Sequence, residues 1–207
     1  MDKNSITFTS DIHFVDRIGY SKLRKKNRID FWHDVPNILK ADEFYSEGIK
    51  TCIGGGLVNP SKEAEGFHLW DDKINQKNFT QIVNSLFEFV KEPQRALLIG
   101  SKKIDGSPYS VKQFQKFKKI FHERVKYFSF FEQHRYENSQ THYHYSVEND
   151  TWTLFSEYAK SENGRYIQVK DLKKLKECFH NISIAKGDRL FICGNEITVK
   201  DAPELFQ

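Results

Sequence analysis

The sequence has only three cysteines, no long hydrophobic run and no strong excess of charge of one sign. The cysteines are odd in number and none forms a Cys-x-x-Cys pair, so neither a disulfide framework nor a zinc or redox motif is predicted. No apolar stretch approaches the roughly 20 residues that span a bilayer, so stable membrane insertion is not expected. The net charge of +4 is small and dispersed, which argues against a nucleic-acid-binding face. The N-terminal residues show no signal-peptide pattern, so we expect synthesis in the cytoplasm.

Aromatic residues are what the sequence has in quantity. It contains 18 phenylalanines, nine tyrosines and three tryptophans among 207 residues. Each buried ring removes roughly 150 to 250 Å² from water, so a sizeable core is possible although apolar residues are only 38% of the chain. The length predicts one large domain, or a domain with appendages.

Hydrophobic periodicity predicts alternating strands and helices in the middle of the chain. The run Ile49–Val58 and the run Gly66–Trp70 are typical of two strands joined at an Asn-Pro turn. Apolar residues at helical spacing follow at 78–91 and again from Ser110 onward. Further strands are predicted at Ala96–Ile99, Tyr127–Gln133, Thr141–Val147 and Thr151–Glu157. Because hairpins force antiparallel neighbours, we expect an α+β fold: a mixed or mainly antiparallel, sandwich-like sheet flanked by two or three helices.

The signals divide the chain into an N-terminal extension (1–42), a core domain (43–158) and a C-terminal helix and strand extension packed on that core (159–207). Each extension carries its own elements. In the first, strands near Ile6–Thr9 and Ile12–Val15 and a short helix around Pro36–Leu39 are predicted. In the second, we expect a Lys-rich helix at Val169–Phe179 and strands at Arg189–Cys193 and Glu196–Val199. The basic run Lys22–Arg28 is interpreted as a solvated surface, although it is a candidate phosphate or membrane-surface contact.

Two common functional motifs are absent or incomplete. The run of three glycines after Cys52 does not match a phosphate-binding loop, and no glycine-rich fingerprint opens a helix. His142 and His144 lie two apart on a predicted strand and therefore share a face, but no further ligand stands at convincing spacing. No metal site is predicted.

Cys52 and His68 form the one pair of side chains suited to catalysis. They lie 16 residues apart, one on each strand of the predicted hairpin, so pairing around the Asn-Pro turn would bring thiol and imidazole side by side. Bare backbone at Gly54, Gly55 and Gly56 requires close approach by another backbone or by a ligand. The default interpretation of a cysteine in an apolar strand is buried filler, and this alternative stays open on spacing alone.

These residues resemble the core of the chemoreceptor glutamine deamidases (CheD) and of the deamidase toxins of the cytotoxic necrotising factor type. The stretch Ile49–Pro60 reads Ile-Lys-Thr-Cys-Ile-Gly-Gly-Gly-Leu-Val-Asn-Pro, and Gly66–His68 follows as Gly-Phe-His. The family shares a catalytic Cys, an Asp-Pro or Asn-Pro turn after it and a Gly-x-His return strand. The resemblance covers about 43–158. Lys50-Thr51 stands where the family has a Gly-Ser or Ser-Gly pair.

The resemblance implies roles for individual residues. Cys52 becomes the nucleophile, His68 its base, and Ser46, six positions before the Cys, the hydroxyl that orients the imidazole, a place more often occupied by Thr. No metal or cofactor is implied. The expected partner is a protein substrate bearing a reactive glutamine, and a monomer is favoured. The residues expected around the oxyanion and substrate are Thr51, Ile53, Gly54 and Gly55.

Three functional alternatives therefore stand. The favoured one is a protein-glutamine deamidase, in the setting of a bacterial effector or toxin secreted to act on a host protein. The same Cys-His pair also serves transglutaminases, peptidases and acyl transferases, which pass through the same acyl-enzyme chemistry. The third alternative is a protein-binding module in which the fold is kept and the site is inactive.

Overall fold

The computed structural model describes residues 9–29, 37–50, 52–69, 78–100, 109–133, 139–161 and 163–207. Within these residues the strands are β1 (Asp11–Phe14), β2 (Asn37–Lys40), β3 (Glu43–Ile49), β4 (Ile53–Val58), β5 (Ala64–Leu69), β6 (Arg95–Gly100), β7 (Tyr127–Gln133), β8 (Gln140–Ser146), β9 (Thr151–Tyr158), β10 (Ile167–Gln168), β11 (Phe179–Ser183), β12 (Arg189–Ile192) and β13 (Asn195–Ile197). The helices are α1 (Arg17–Ser21), α2 (Phe79–Phe89), α3 (Tyr109–Arg124) and α4 (Leu172–Cys178), with a 3₁₀ turn at Pro203–Leu205.

The strands form two mixed sheets packed face to face. The seven-stranded sheet has the order β13-β12-β1-β9-β8-β3, with β10 added to β9, and the six-stranded sheet has the order β11-β7-β6-β4-β5-β2. Helices α2 and α3 cover the outer face of the six-stranded sheet through a shared apolar cluster. The predicted α+β fold, with a sandwich-like sheet flanked by helices, is confirmed.

The core accordingly has two layers, which we call the inter-sheet layer and the helix layer. Side chains alternate between them along each strand of the six-stranded sheet. On β6, for example, Leu97 and Ile99 pack in the inter-sheet layer while Ala96 and Leu98 pack against the helices. A strand buried on both faces reads as a continuous apolar run, which is why β6 was recognisable from its sequence.

The apolar residues predicted at helical spacing from Ser110 onward lie on α3 and supply the centre of the helix layer. Phe114, Phe117 and Phe121 are all fully buried. The Phe121 ring makes edge contacts with Phe87 of α2 and Phe128 of β7, with centroids 5.6 and 5.4 Å apart. The helices at 78–91 and from Ser110 onward are thus confirmed. None of the described helices is long and apolar enough to cross a membrane.

Some predictions near the N-terminus need correction. Ile38 and Leu39, assigned to a short helix, lie in β2, which pairs with β5 and forms an edge of the six-stranded sheet. Pairing with an existing strand outweighs the weak helical preference of four residues. The predicted strand Ile12–Val15 is confirmed as β1, whereas most of Ile6–Thr9 lies outside the described residues.

Two more corrections concern strand boundaries. The run Ile49–Val58 is not one strand, because β3 ends at Ile49 in one sheet and β4 begins at Ile53 in the other. The chain therefore passes from sheet to sheet in the residues around Cys52. Strand β3 itself and strand β11 were not predicted; both have polar residues among their apolar ones, which hides the alternation.

Strands from both extensions join the core strands in one sheet. Strand β1 runs parallel to β9 on one side and to β12 on the other. A buried ion pair between Arg95 of β6 and Asp188, before β12, ties the two sheets together, and Asp188 also accepts a hydrogen bond of 2.7 Å from Ser129. The boundaries at 42 and 158 remain a prediction.

Candidate active site

Cys52 lies at one end of the six-stranded sheet. It directly precedes β4, whose first residue, Ile53, pairs with the last residues of two neighbours, Leu69 of β5 and Gly100 of β6. Only 7% of Cys52 is exposed, so the thiol is recessed into this end of the sheet. The backbones crowd closely here, since a Cβ on Gly100 would lie 2.7 Å from the Cys52 carbonyl oxygen.

The hairpin β4–β5 places His68 next to this position. His68 pairs with Gly54, which follows Cys52 by two residues, so Cys52 is diagonal to His68 across the hairpin. The imidazole points into the inter-sheet layer, where the Ser46 hydroxyl of β3 meets it at 2.7 Å. The structure thus brings together Ser46 and His68 from different sheets, with Cys52 at the adjacent strand start.

The hydrogen bonds of Ser46 determine which nitrogen of His68 carries the proton. Ser46 Oγ lies 2.9 Å from the carbonyl oxygen of Ile29, which can only accept. The single hydroxyl proton therefore goes to Ile29, and Ser46 accepts from His68 Nδ1–H at 2.7 Å. In this tautomer Nε2 carries the lone pair, as a general base requires.

Burial keeps this imidazole neutral. His68 is almost completely enclosed, and burial lowers its pKa from 6.5 to about 4. Since burial disfavours the charged form, His68 is a base near neutral pH and not an imidazolium. At neutral pH the imidazole can therefore accept a proton, but it carries no charge with which to form an ion pair with a thiolate.

A β-bulge sets the position of Ser46. Strand β3 pairs Ser46 with Tyr143 and Ile49 with Thr141, so three steps on β3 match two on β8. Gly48, inside the bulge, has a φ of +75°, which glycine adopts without strain. The extra residue lets both Ser46 and Ile49 face the core, which strict alternation would forbid.

Tyr143 of β8 completes the buried polar group around His68. Its hydroxyl donates to the carbonyl oxygen of Phe67, the neighbour of His68, at 2.7 Å. Burial raises the pKa of Tyr143, and hydrogen bonds with the Gly55 and Phe67 backbone and the Ser46 side chain oppose that rise. The tyrosine therefore links the strand that carries His68 to the opposite sheet.

The three glycines of β4 are packed against protein atoms. A Cβ on Gly54 would lie 2.5 Å from the Ile49 side chain, and one on Gly55 would overlap the Leu97 carbonyl. A Cβ on Gly56 would meet the Glu65 carbonyl oxygen at 2.4 Å. Of the two explanations left open by the sequence, close approach by protein accounts for these glycines.

The remaining oxyanion candidates are less defined. Ile53 is fully buried, with its side chain in the helix layer, so only its backbone can serve a substrate. Thr51 lies outside the described residues. Their proposed role, like that of Gly54 and Gly55, remains a prediction.

The two histidines considered as metal ligands have other surroundings. His142 packs against the rings of Tyr20 and Phe155, and burial lowers its pKa. His144 Nε2 lies 3.1 Å from a carboxylate oxygen of Glu43. Among the described residues, no group of three or more His, Cys, Asp or Glu is arranged to hold a metal ion.

The basic run of the N-terminal extension lies against β3. Lys25 and Arg28 approach Glu47 at 3.1 and 3.9 Å, and Lys26 approaches Glu43 at 4.0 Å. These distances are typical of surface ion pairs, which contribute little to stability. Part of the positive charge is thus offset by carboxylates of the edge strand.

Sequence reasoning missed three contributors to this site: Ile29, Tyr143 and Gln133. The Ile29 contribution is a backbone carbonyl, which no side-chain pattern reveals. Gln133 could have been identified from the sequence. It lies two residues after Phe131 on a predicted aromatic strand, so it shares a face with that buried ring and was a candidate buried amide.

No protein-family model matches this sequence, and no match is found among curated proteins.

Proposed function

We propose that the protein is a side-chain amidase that deamidates glutamine residues of a protein substrate. The observation that carries the proposal is the hydrogen bond between Ser46 and His68, which presents Nε2 as the base beside the strand start that carries Cys52. A nucleophile, a base and an orienting group are the three components of a thiol-based acyl-transfer site.

The chemistry proceeds in two halves. Cys52 Sγ attacks the amide carbon of the substrate as His68 Nε2 takes the thiol proton, and backbone N–H groups near Cys52 and Ile53 receive the oxyanion. His68 then gives its proton to the departing nitrogen, which leaves as ammonia and leaves a thioester. A water molecule, losing a proton to His68, attacks the thioester and releases glutamate with the thiol restored. The balance is amide plus water to carboxylic acid plus ammonia.

The recessed position of Cys52 favours a side-chain amide over a backbone peptide bond. A glutamine amide stands at the end of a slender, flexible stem and can approach a recessed thiol without its own backbone. A backbone amide is flanked by chain on both sides, which would have to approach the same crowded sheet end. With Cys52 only 7% exposed, the geometry favours the glutamine side chain.

The decisive experiment uses mass spectrometry on candidate protein substrates in heavy-oxygen water. We expect a specific glutamine to be converted to glutamate with incorporation of the label, and Cys52→Ala to abolish this. Cys193→Ala is the matched control, because Cys193 is an exposed cysteine located beyond β12. Transfer of an added amine would identify a transglutaminase, and peptide cleavage a peptidase.

A substrate-independent test measures the thiol itself. Selective alkylation of Cys52 near neutral pH, slowed by His68→Ala, is expected if the two residues act together. A rate that is the same in wild type and His68→Ala would exclude every catalytic role of the pair and favour the protein-binding module. If the deamidase activity is found, targets should be sought among host proteins, following the setting of a secreted effector.

A further inference from the structure

The chain around Cys52 crosses from one sheet to the other, and something must hold that crossing in place. Ile49 is the last residue of β3 in the seven-stranded sheet, and Ile53 the first of β4 in the six-stranded sheet. Cys52 lies between them. Small shifts of reacting groups cost rate steeply, since misplacement by about 1 Å can reduce a rate roughly a hundredfold. The anchors of this crossing are therefore candidates for control of the thiol.

Gln133 is positioned to be such an anchor. It is the last residue of β7, is fully buried, and donates from Nε2 to the carbonyl oxygen of Ile49 at 3.1 Å. The same amide donates to Thr141 Oγ1 at 2.9 Å, and Thr141 in turn lies 3.0 Å from Ser156 Oγ. Because the Ile49 carbonyl can only accept, the amide orientation is unambiguous.

The side chain of Ile49 is also fixed in position, because it is fully buried and closely packed. It occupies the space beside Gly54, where a Cβ would lie 2.5 Å from its terminal carbon, and Gly54 is the strand partner of His68. The carbonyl of Ile49 is thus hydrogen-bonded to Gln133, and its side chain packs against Gly54, the strand partner of His68. Only Lys50 and Thr51 separate it from Cys52 in the sequence.

We propose that Gln133 is a positioning residue for the thiol, acting through the Ile49 carbonyl to set how Cys52 meets His68. The inference rests on the proposed function, since it assumes that Cys52 and His68 react together. An apolar residue of similar size would fill the same space without the cost of burying an amide. The hydrogen bond from the Gln133 amide therefore fixes the position of the Ile49 carbonyl, where the chain leaves β3 towards Cys52. An apolar side chain would only fill the space.

The test is a double-mutant cycle on the alkylation rate of Cys52 by iodoacetamide in native buffer. In wild type, His68→Ala is expected to slow alkylation. In a Gln133→Met background, His68→Ala should change the rate less than twofold, because the thiol no longer meets the imidazole. In the same variant the rate of glutamine hydrolysis is expected to fall roughly 10- to 100-fold.

Ser129→Ala is the matched control. Ser129 is also buried on β7 and also hydrogen-bonded, but its partners are Asp188 and the Ala185 N–H. This variant should retain the full His68 dependence, whatever its loss of stability. A merely structural role for Gln133 predicts that Gln133→Met behaves in the same way, and that result would overturn the inference.

If Gln133→Met does not fold, Gln133→Glu supplies the test. The protonated carboxyl keeps the length and can donate to Ile49, whereas the ionised form cannot. We expect the His68 dependence to be present in acid and to be lost as pH rises, with no such step in Ser129→Ala. If alkylation of Cys52 in Gln133→Glu depends on His68 at all pH values, the inference about Gln133 is contradicted. If alkylation in wild type does not depend on His68, the proposed function itself is contradicted.

Discussion

The two buried layers of the molecule surround the polar side chains on the two faces of β5 differently. In the inter-sheet layer, Ser46, His68 and Gln133 are deeply buried, and each forms a hydrogen bond to the opposite sheet, although Gln133 Oε1 has no partner in the described part of the chain. In the helix layer, Glu65 is equally buried beside Phe67, but neither carboxyl oxygen has a hydrogen-bond partner in the described part of the chain. On β5 the buried imidazole of His68 is therefore tied to the opposite sheet, whereas the buried carboxyl of Glu65 is not.

The contrast is sharpest on β5, which carries one titratable group on each face. Burial raises the pKa of Glu65 to about 8, an effect that Lys40 partly opposes. Burial lowers the pKa of His68 to about 4. Both groups are therefore neutral near pH 7, and their effects on stability have opposite signs.

The largest effect is expected from breaking the helix layer. Phe121→Ala removes a fully buried ring and should lower the free energy of unfolding by about 3–5 kcal/mol in urea denaturation. The folded fraction should still show His68-dependent alkylation of Cys52, since the inter-sheet layer is untouched. Loss of the His68 dependence in folded protein would mean that packing in the helix layer also controls the geometry of the inter-sheet layer.

Glu65→Gln should remove a pH dependence. The unfolded carboxyl releases its proton near 4.5 but the folded one only near 8, so stability falls as pH rises through this interval. The slope for one proton is about 1.4 kcal/mol per pH unit. Urea unfolding between pH 6.5 and 8 should show a decline in stability in wild type that is shallower in the variant. Equal slopes would show that Glu65 is already ionised.

His68→Gln should remove the opposite dependence. The unfolded imidazole binds a proton near 6.5 and the folded one only near 4, so stability is lost as pH falls through this narrower interval. The measurement is best made in the Glu65→Gln background, where the opposing carboxyl no longer titrates. If the two proteins lose stability equally between pH 6.5 and 4, His68 is not held neutral by burial.

Ser46→Ala tests the smallest effect, that of one hydrogen bond in the inter-sheet layer. It leaves His68 Nδ1–H without its acceptor and should cost about 1–3 kcal/mol of unfolding free energy. Alkylation of Cys52 should lose its dependence on His68, because the tautomer is no longer set. Ser46→Thr, which keeps the hydroxyl, is the control and should preserve the free energy of unfolding and the His68 dependence of alkylation. If Ser46→Ala and Ser46→Thr give the same values for both, Ser46 is not part of the site.

The elements that could be predicted from the sequence are those determined by interactions between residues close together in the chain. The helix-layer stripe of α3 and the bounds of β7 could be read from local periodicity, because each apolar residue signals its own burial. The pairing of β4 with β5 followed from the Asn-Pro turn, which brought Cys52 near His68. The edge strand β2 could not be read locally, since its pairing with β5 outweighs its own preference.

The assignment of Ser46 shows the limit for the site. The sequence suggested it through a resemblance, but its contact with His68 depends on the bulge at Gly48 and on the stacking of two sheets. The contacts of Ile29, Tyr143 and Gln133 are likewise made between elements distant in the chain. No spacing rule connects such residues, because sheet stacking brings them together irrespective of sequence separation.

By itself, the sequence determined the layered α+β composition, the hairpin and the proximity of one thiol to one imidazole. These are consequences of local periodicity and of a turn, which operate over a few residues. The tertiary structure alone decided the tautomer of His68, the occupants of the glycine spaces and the anchoring of the crossing at Cys52. Those features depend on where a hydroxyl proton or a carbonyl finds its partner, and the partners belong to the opposite sheet.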